Sequence, residues 1–82
     1  MIKVLFFASL KEQIGQSEIE IPAQDVNTID EIKLWLKNYN SNWEKWILNR
    51  KLLCSRNLTM VNSSSDAVAG DEIAFFPPVT GG

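Results

Sequence analysis

The sequence predicts an α+β domain, a mixed sheet of four to five strands crossed by one main helix, with residues 77–82 forming a flexible C-terminal tail. Three observations predict it. Two β-rich segments open the chain, a well-capped amphipathic helix follows them, and further short strands return after it. The last of these runs straight into Pro77-Pro78.

Residues 2–8 form the first strand. Alternation sets Ile2, Val4 and Phe6 on one face and Lys3, Leu5 and Phe7 on the other. Both faces carry large apolar groups, as in a central strand or one whose second face meets a partner. Residues 10–14 suggest a helical turn ended by Gly15. A half-exposed strand spans 17–22, where Glu18 and Glu20 alternate with Ile19 and Ile21, and Pro22 closes it.

The helix begins at Thr28. With Glu31 three residues later, Thr28 makes a capping box, and Asp30 and Glu31 sit where the helix dipole favours acids. Ile29, Ile32, Leu36 and Tyr39 recur at helical spacing beside Trp35, while Lys33 and Lys37 are expected to face water. Asn38, Asn40 and Asn42 weaken the helix at its end, and Trp43, Trp46 and Ile47 suggest a further short helical segment. The three tryptophans are read as cover for one face of the sheet in preference to a ligand site.

Lys51–Ser55 reads as a third strand and Leu58–Val61 as a short one, after a turn at Arg56-Asn57. Asn62–Asp66 is a polar loop, and the Gly70-Asp71 turn launches a last strand over Glu72–Phe76. Pro77-Pro78 ends it, because proline cannot donate to a sheet ladder. This order describes a β-grasp, the ubiquitin-like arrangement, in which the first and last strands lie side by side in parallel. Residues 1–76 form that domain and 77–82 its tail.

Composition narrows the chemistry. Eighty-two residues bury only roughly two-thirds of the surface the unfolded chain exposes, leaving little room for an enclosed cavity. The apolar fraction of 45% is nonetheless that of a folded domain. A net charge of -2 with scattered basic residues argues against nucleic-acid binding. No stretch approaches the ~20 apolar residues of a membrane span, and the chain reads as cytoplasmic. Cys54 is the single cysteine, read as a small buried hydrophobe, and there is no histidine. A histidine base and a multi-thiolate metal site are therefore excluded, and no metal is expected. The acidic pairs Asp30-Glu31 and Asp71-Glu72 belong to a helix start and a turn, so conventional side-chain catalysis finds no support.

What remains is the end of the chain. Two final glycines arise by chance in roughly one chain in 200, so alone they read equally as a frayed terminus. Their setting is more specific: an aromatic strand end, a stiff Pro77-Pro78, then Val79, Thr80, Gly81 and Gly82. Six extended residues span up to ~20 Å, enough to thread a narrow channel on another protein. Glycine there lets backbones approach closely. The carboxylate of Gly82 is a poor electrophile until adenylation makes it a mixed anhydride. Sulfur attack then gives a thiocarboxylate, and amine attack gives protein conjugation.

Gly70-Asp71-Glu72-Ile73-Ala74-Phe75-Phe76-Pro77-Pro78-Val79-Thr80-Gly81-Gly82 resembles the C-terminal signature of the molybdopterin synthase small subunit family. Ile2–Ala8 with Lys11, Glu12 and Gly15, and Leu52-Leu53 with Asn57, resemble it too, while the helix matches in pattern only. Lys11 stands where that family often has arginine, and Cys54-Ser55-Arg56 replaces a small apolar stretch. The resemblance implies a sulfur carrier. On that resemblance Gly82 would be adenylated by an E1-like enzyme that uses ATP, and a sulfur donor protein would supply the sulfur of the thiocarboxylate. The charged tail would then enter a large subunit that catalyses dithiolene formation on cyclic pyranopterin monophosphate, in an expected heterotetramer of two small and two large subunits. The carrier itself is expected to bind no cofactor, nucleic acid or membrane. By the same resemblance Phe7, Met60 and Phe76 form an apolar docking patch, with Lys11 and Arg56 at its rim. The less favoured alternative is that these three side chains complete a core face. Carriers for thiazole synthesis or transfer-RNA thiolation, and a ubiquitin-like modifier, use the same kind of tail.

Overall fold

The computed structural model describes residues 1–78. The first strand, β1 (Ile2–Phe6), is followed at once by helix α1 (Ala8–Ile14) and then β2 (Glu18–Ile21). A short 3-10 turn (Ala23–Asp25) leads to the main helix α2 (Ile29–Tyr39). A second 3-10 turn (Ser41–Trp43) and the short helix α3 (Glu44–Ile47) come next, then β3 (Leu53–Arg56), β4 (Thr59–Val61) and β5 (Glu72–Phe76). The strands form one sheet in the order β2-β1-β5-β3-β4. As expected for a β-grasp, β1 and β5 are parallel neighbours, with Val4 beside Ile73 and Phe6 beside Phe75, and all other pairings are antiparallel.

The register sorts the sheet into two faces, because directly opposed residues point the same way. Ile2, Val4, Phe6, Ile73, Phe75 and Cys54 point toward the helices and are buried. Ile29, Ile32 and Leu36 from α2, Leu10 and Ile14 from α1, and Ile47 from α3 close the core over them. The capping box forms as read: the Glu31 N–H donates to Thr28 Oγ1 at 3.2 Å. The Glu31 carboxylate accepts from the Asn27 N–H at 2.8 Å, one residue earlier than the usual reciprocal bond.

Several boundaries differ from the sequence reading, each for a local reason. The first strand stops at Phe6, not residue 8, because Ala8 turns to φ 56 and starts α1 with Phe7 as N-cap. The segment read as one turn over 10–14 is a two-turn helix, since Leu10 and Ile14 both reach the core. Gly15 ends it at φ 90, where its N–H bonds Lys11 O at 2.9 Å. Tyr39, the last residue of α2, leaves the core stripe and is exposed. Its ring stacks on Trp35 with centroids 5.3 Å apart. Of the tryptophans, Trp43 packs edge-on against Phe6, and Trp35 and Trp46 are half-buried at the margin of the core. Lys33 and Lys37 are half-buried, and Lys33 Nζ stands 6.0 Å from the centre of the Phe75 ring. The third strand runs Leu53–Arg56, and the turn after it is Asn57-Leu58.

Candidate functional site

The second face of the sheet carries the apolar side chains that the core does not use. One row across it reads Leu5, Ala74, Ser55, Met60, each directly opposite the next. A second pairs Phe76 with Leu53 and has Phe7 at its other side. None of these residues belongs to the core cluster. Ala74 and Ser55 are nevertheless buried, because small side chains lie low between larger neighbours. Phe7 and Met60 are exposed at 46% and 56%, and Phe76 is half-buried. A continuous apolar surface of this kind on a small domain marks a contact face.

Phe7 and Phe76 are in contact, with ring centroids 6.0 Å apart and planes tilted by 53°. Two features place them so. Phe7 follows the last residue of β1, with its N–H donating to Phe75 O at 3.1 Å, and Phe76 is the last residue of β5. Pro77 and Pro78 then leave the sheet half-buried, so the aromatic pair marks the base of the tail. Met60 shares the face two strands away. Lys11 is exposed on α1, one turn beyond Phe7, whose carbonyl accepts the Lys11 N–H at 3.4 Å. The remaining tail residues singled out in the sequence, Val79, Thr80, Gly81 and Gly82, lie outside the described residues.

Charge surrounds the patch unevenly. Lys3 lies between Glu20 on one neighbouring strand and Glu72 on the other, and Glu18 stands beside Leu5. This margin is mainly acidic, and a partner offering basic side chains there would complement it.

Arg56 is engaged within the chain. Its Nε donates to Asp71 Oδ2 at 2.8 Å, and the same carboxylate accepts from Asn57 Nδ2 at 2.9 Å and from the Val68 N–H at 2.9 Å. Burial pushes the Asp71 carboxyl up, but the bonds from Val68, Asn57 and Arg56 together outweigh it and hold the group below the usual carboxylate range. Asp71 thus ties the β3–β4 hairpin, which carries Met60, to the start of β5. Sequence reading had Asp71 only as a turn residue. Leu53 and Ser55 were also missed as members of the open face, since only the register reveals which way a four-residue strand points.

Cys54 is buried on the core side, as expected. Its thiol donates to Val61 O at 3.3 Å, and burial pushes its pKa up despite the opposing charge of Lys33. It is poorly placed to act as a nucleophile. Among the described residues no cluster of three or more metal-ligating side chains forms, nor is any helix long and apolar enough to cross a membrane.

A five-stranded mixed sheet with parallel β1 and β5, helices on one face and an open apolar surface on the other defines a ubiquitin-like β-grasp protein. The ThiS family model matches residues 4–82. The chain is 40% identical over 82 residues to the molybdopterin synthase sulfur carrier subunit of Escherichia coli (strain K12), covering 100% of each. Among solved structures it resembles SAMP1 from Haloferax volcanii, with a TM-score of 0.80 and 24% identity over 99% of this chain and 98% of that one. It also resembles a chain in the complex of subunits 1 and 2 of molybdopterin-converting factor from Helicobacter pylori 26695. There the TM-score is 0.66, with 23% identity over 99% of this chain and 97% of that one. The chain belongs to the ThiS family, among its molybdopterin synthase sulfur carrier subunits.

Proposed function

We propose that this chain is the sulfur-carrying small subunit of a molybdopterin synthase, working through the carboxylate of Gly82. The observation that carries the reading is the position of the Phe7–Phe76 pair. It joins an open apolar face to the base of the tail, so one docking event fixes where the tail points. The similarity to a curated carrier subunit over its whole length agrees with it.

In this reading an E1-like enzyme adenylates Gly82. The carboxylate oxygen attacks the α-phosphate of ATP and pyrophosphate leaves. Sulfide-level sulfur delivered by a donor protein then attacks the acyl carbon, the C–O bond to AMP breaks, and the chain ends in a thiocarboxylate. Phe7, Met60 and Phe76 bind first the activating enzyme and then the large synthase subunit. The tail, Pro77 to Gly82, threads into the large subunit, and sulfur passes to cyclic pyranopterin monophosphate. Two carriers supply the two dithiolene sulfurs, in keeping with a heterotetramer of two small and two large subunits. The catalytic side chains belong to the large subunit, because the buried Cys54 is the only thiol and there is no histidine. The chain itself needs no cofactor, and the cytoplasm is the compartment proposed for it.

The test is a reconstituted synthase assay. Deleting Gly82, or adding one residue after it, should abolish sulfur transfer and leave the melting temperature unchanged. Full activity in the extended variant would refute the terminal-carboxylate mechanism.

A further inference from the structure

The hairpin between β3 and β4 turns on two residues, Asn57 and Leu58, with φ of 51° and 71°. A two-residue turn with both φ positive suits the twist of its flanking strands, and its second position usually belongs to glycine. Asparagine tolerates this conformation, and here it is also held by three bonds. Its Nδ2 donates to Asp71 Oδ1, its Oδ1 accepts from the Glu72 N–H, and its own N–H donates to Glu72 O, each at 2.9 Å. Leucine at the second position is strained, because its Cβ crowds the backbone in the left-handed region.

Among the described residues no packing contact offsets that strain. Leu58 is 89% exposed, the most exposed of the large apolar side chains among the described residues. It is unfavourable twice over, in backbone conformation and in solvation. Backbone strain held on a rigid frame is a known mark of functional surface.

The place of the tip gives the strain a use. From Leu58 the chain continues into β4, whose Met60 lies on the open face. Strand β3 runs from Leu53, beside Phe76, to Arg56, beside Ile73. The tip therefore sits at the opposite end of the sheet from the tail, at least roughly 13 Å along the strand from the level of Phe76. The Asp71 carboxylate fixes it there through Asn57 on Oδ1, and its Oδ2 holds the backbone of Val68, itself half exposed. A partner that threads the tail and also covers Leu58 grips the body at two ends, which sets the angle at which the tail approaches.

The geometry points to Leu58 as a second anchor for the large synthase subunit, received by an apolar pocket on that partner while the tail is threaded. This rests on the carrier reading above, and it follows from the continuity of the tip with the Met60 face. The large subunit is preferred over the activating enzyme because holding the tail direction matters most where the tail enters a channel.

The experiment uses the full chain, as wild type, Leu58→Asn, Leu58→Gly and Phe76→Ala. Each is melted alone and titrated calorimetrically into the large subunit encoded in the same genome. Asparagine relieves the strain, so Leu58→Asn should melt roughly 3–6 °C higher. It should also bind at least about tenfold more weakly, with Leu58→Gly equally weak. Stability and affinity moving in opposite directions is a result that a solvated leucine does not give. If both Leu58 variants bind like wild type while Phe76→Ala is weakened, the second anchor is overturned and the docking face stands. If wild type itself does not bind, both fall. A lower melting temperature for Leu58→Asn also overturns the inference, since it would mean that the leucine stabilises the free chain.

Discussion

Phe75 and Phe76 are neighbours in sequence and point to opposite faces of the sheet, Phe75 wholly buried under α2 and Phe76 against Phe7 at the base of the tail. One side chain serves the fold, and the next is the one proposed for recognition. Phe75→Ala should cost about 3–5 kcal/mol of stability, as for any buried phenylalanine. Phe76→Ala should cost about 1 kcal/mol while weakening partner binding at least tenfold. Parallel melting and binding measurements on the two variants check this. A stability loss for Phe76→Ala as large as that for Phe75→Ala would place Phe76 in the core.

Met60 offers a cleaner probe of the same face, because it is exposed and sits on an edge strand. Met60→Lys should shift stability by no more than about 0.5 kcal/mol. In a complex the added charge would be buried without a partner, so affinity for the large subunit should fall at least about tenfold. Unchanged affinity would remove Met60 from the interface.

Asp71 makes a pH prediction. Its carboxyl is held below the usual carboxylate range in the folded chain, so it binds its proton less readily there than in the unfolded chain. The stability it contributes is fully present above the unfolded carboxylate pKa of about 3.9 and is lost as pH falls through the lower folded value. Asp71→Asn should be less stable than wild type at pH 7 by roughly 1–3 kcal/mol. The gap between the two proteins should narrow toward acid, as denaturant melts across the acid range would show. A gap independent of pH would mean that Asp71 acts by shape alone.

Cys54 should be silent. In the native chain it should react with iodoacetamide at pH 7 far more slowly than a free thiol, and react readily once the chain is unfolded. Rapid native labelling would show that β3 opens.

Much of this architecture is legible in the residues themselves. The capping box at Thr28 and Glu31, the alternation of 2–6 and the proline stop after Phe76 all act over a few residues, and each survives in the structure. What escaped depends on distant contacts. Arg56 and Asn57 meet Asp71 across fourteen or fifteen positions, so no local pattern announces the network that holds the hairpin. Leu58 looked like a strand residue because leucine is rare at positive φ, and only the backbone shows it in the turn. The faces of β3 were hidden because the register of so short a strand comes from its partners. The tail was the opposite case: its terminal motif is read from sequence alone, and the structure supplies the aromatic pair at its base.

The most direct test of the carrier role is the intact mass of the full chain after incubation with the activating enzyme, ATP and a sulfur donor. Replacement of one terminal oxygen by sulfur should add about 16 Da, with the change confined to the C-terminal peptide. A chain recovered at unchanged mass, or joined to a lysine of another protein with no sulfur gained, would contradict the account.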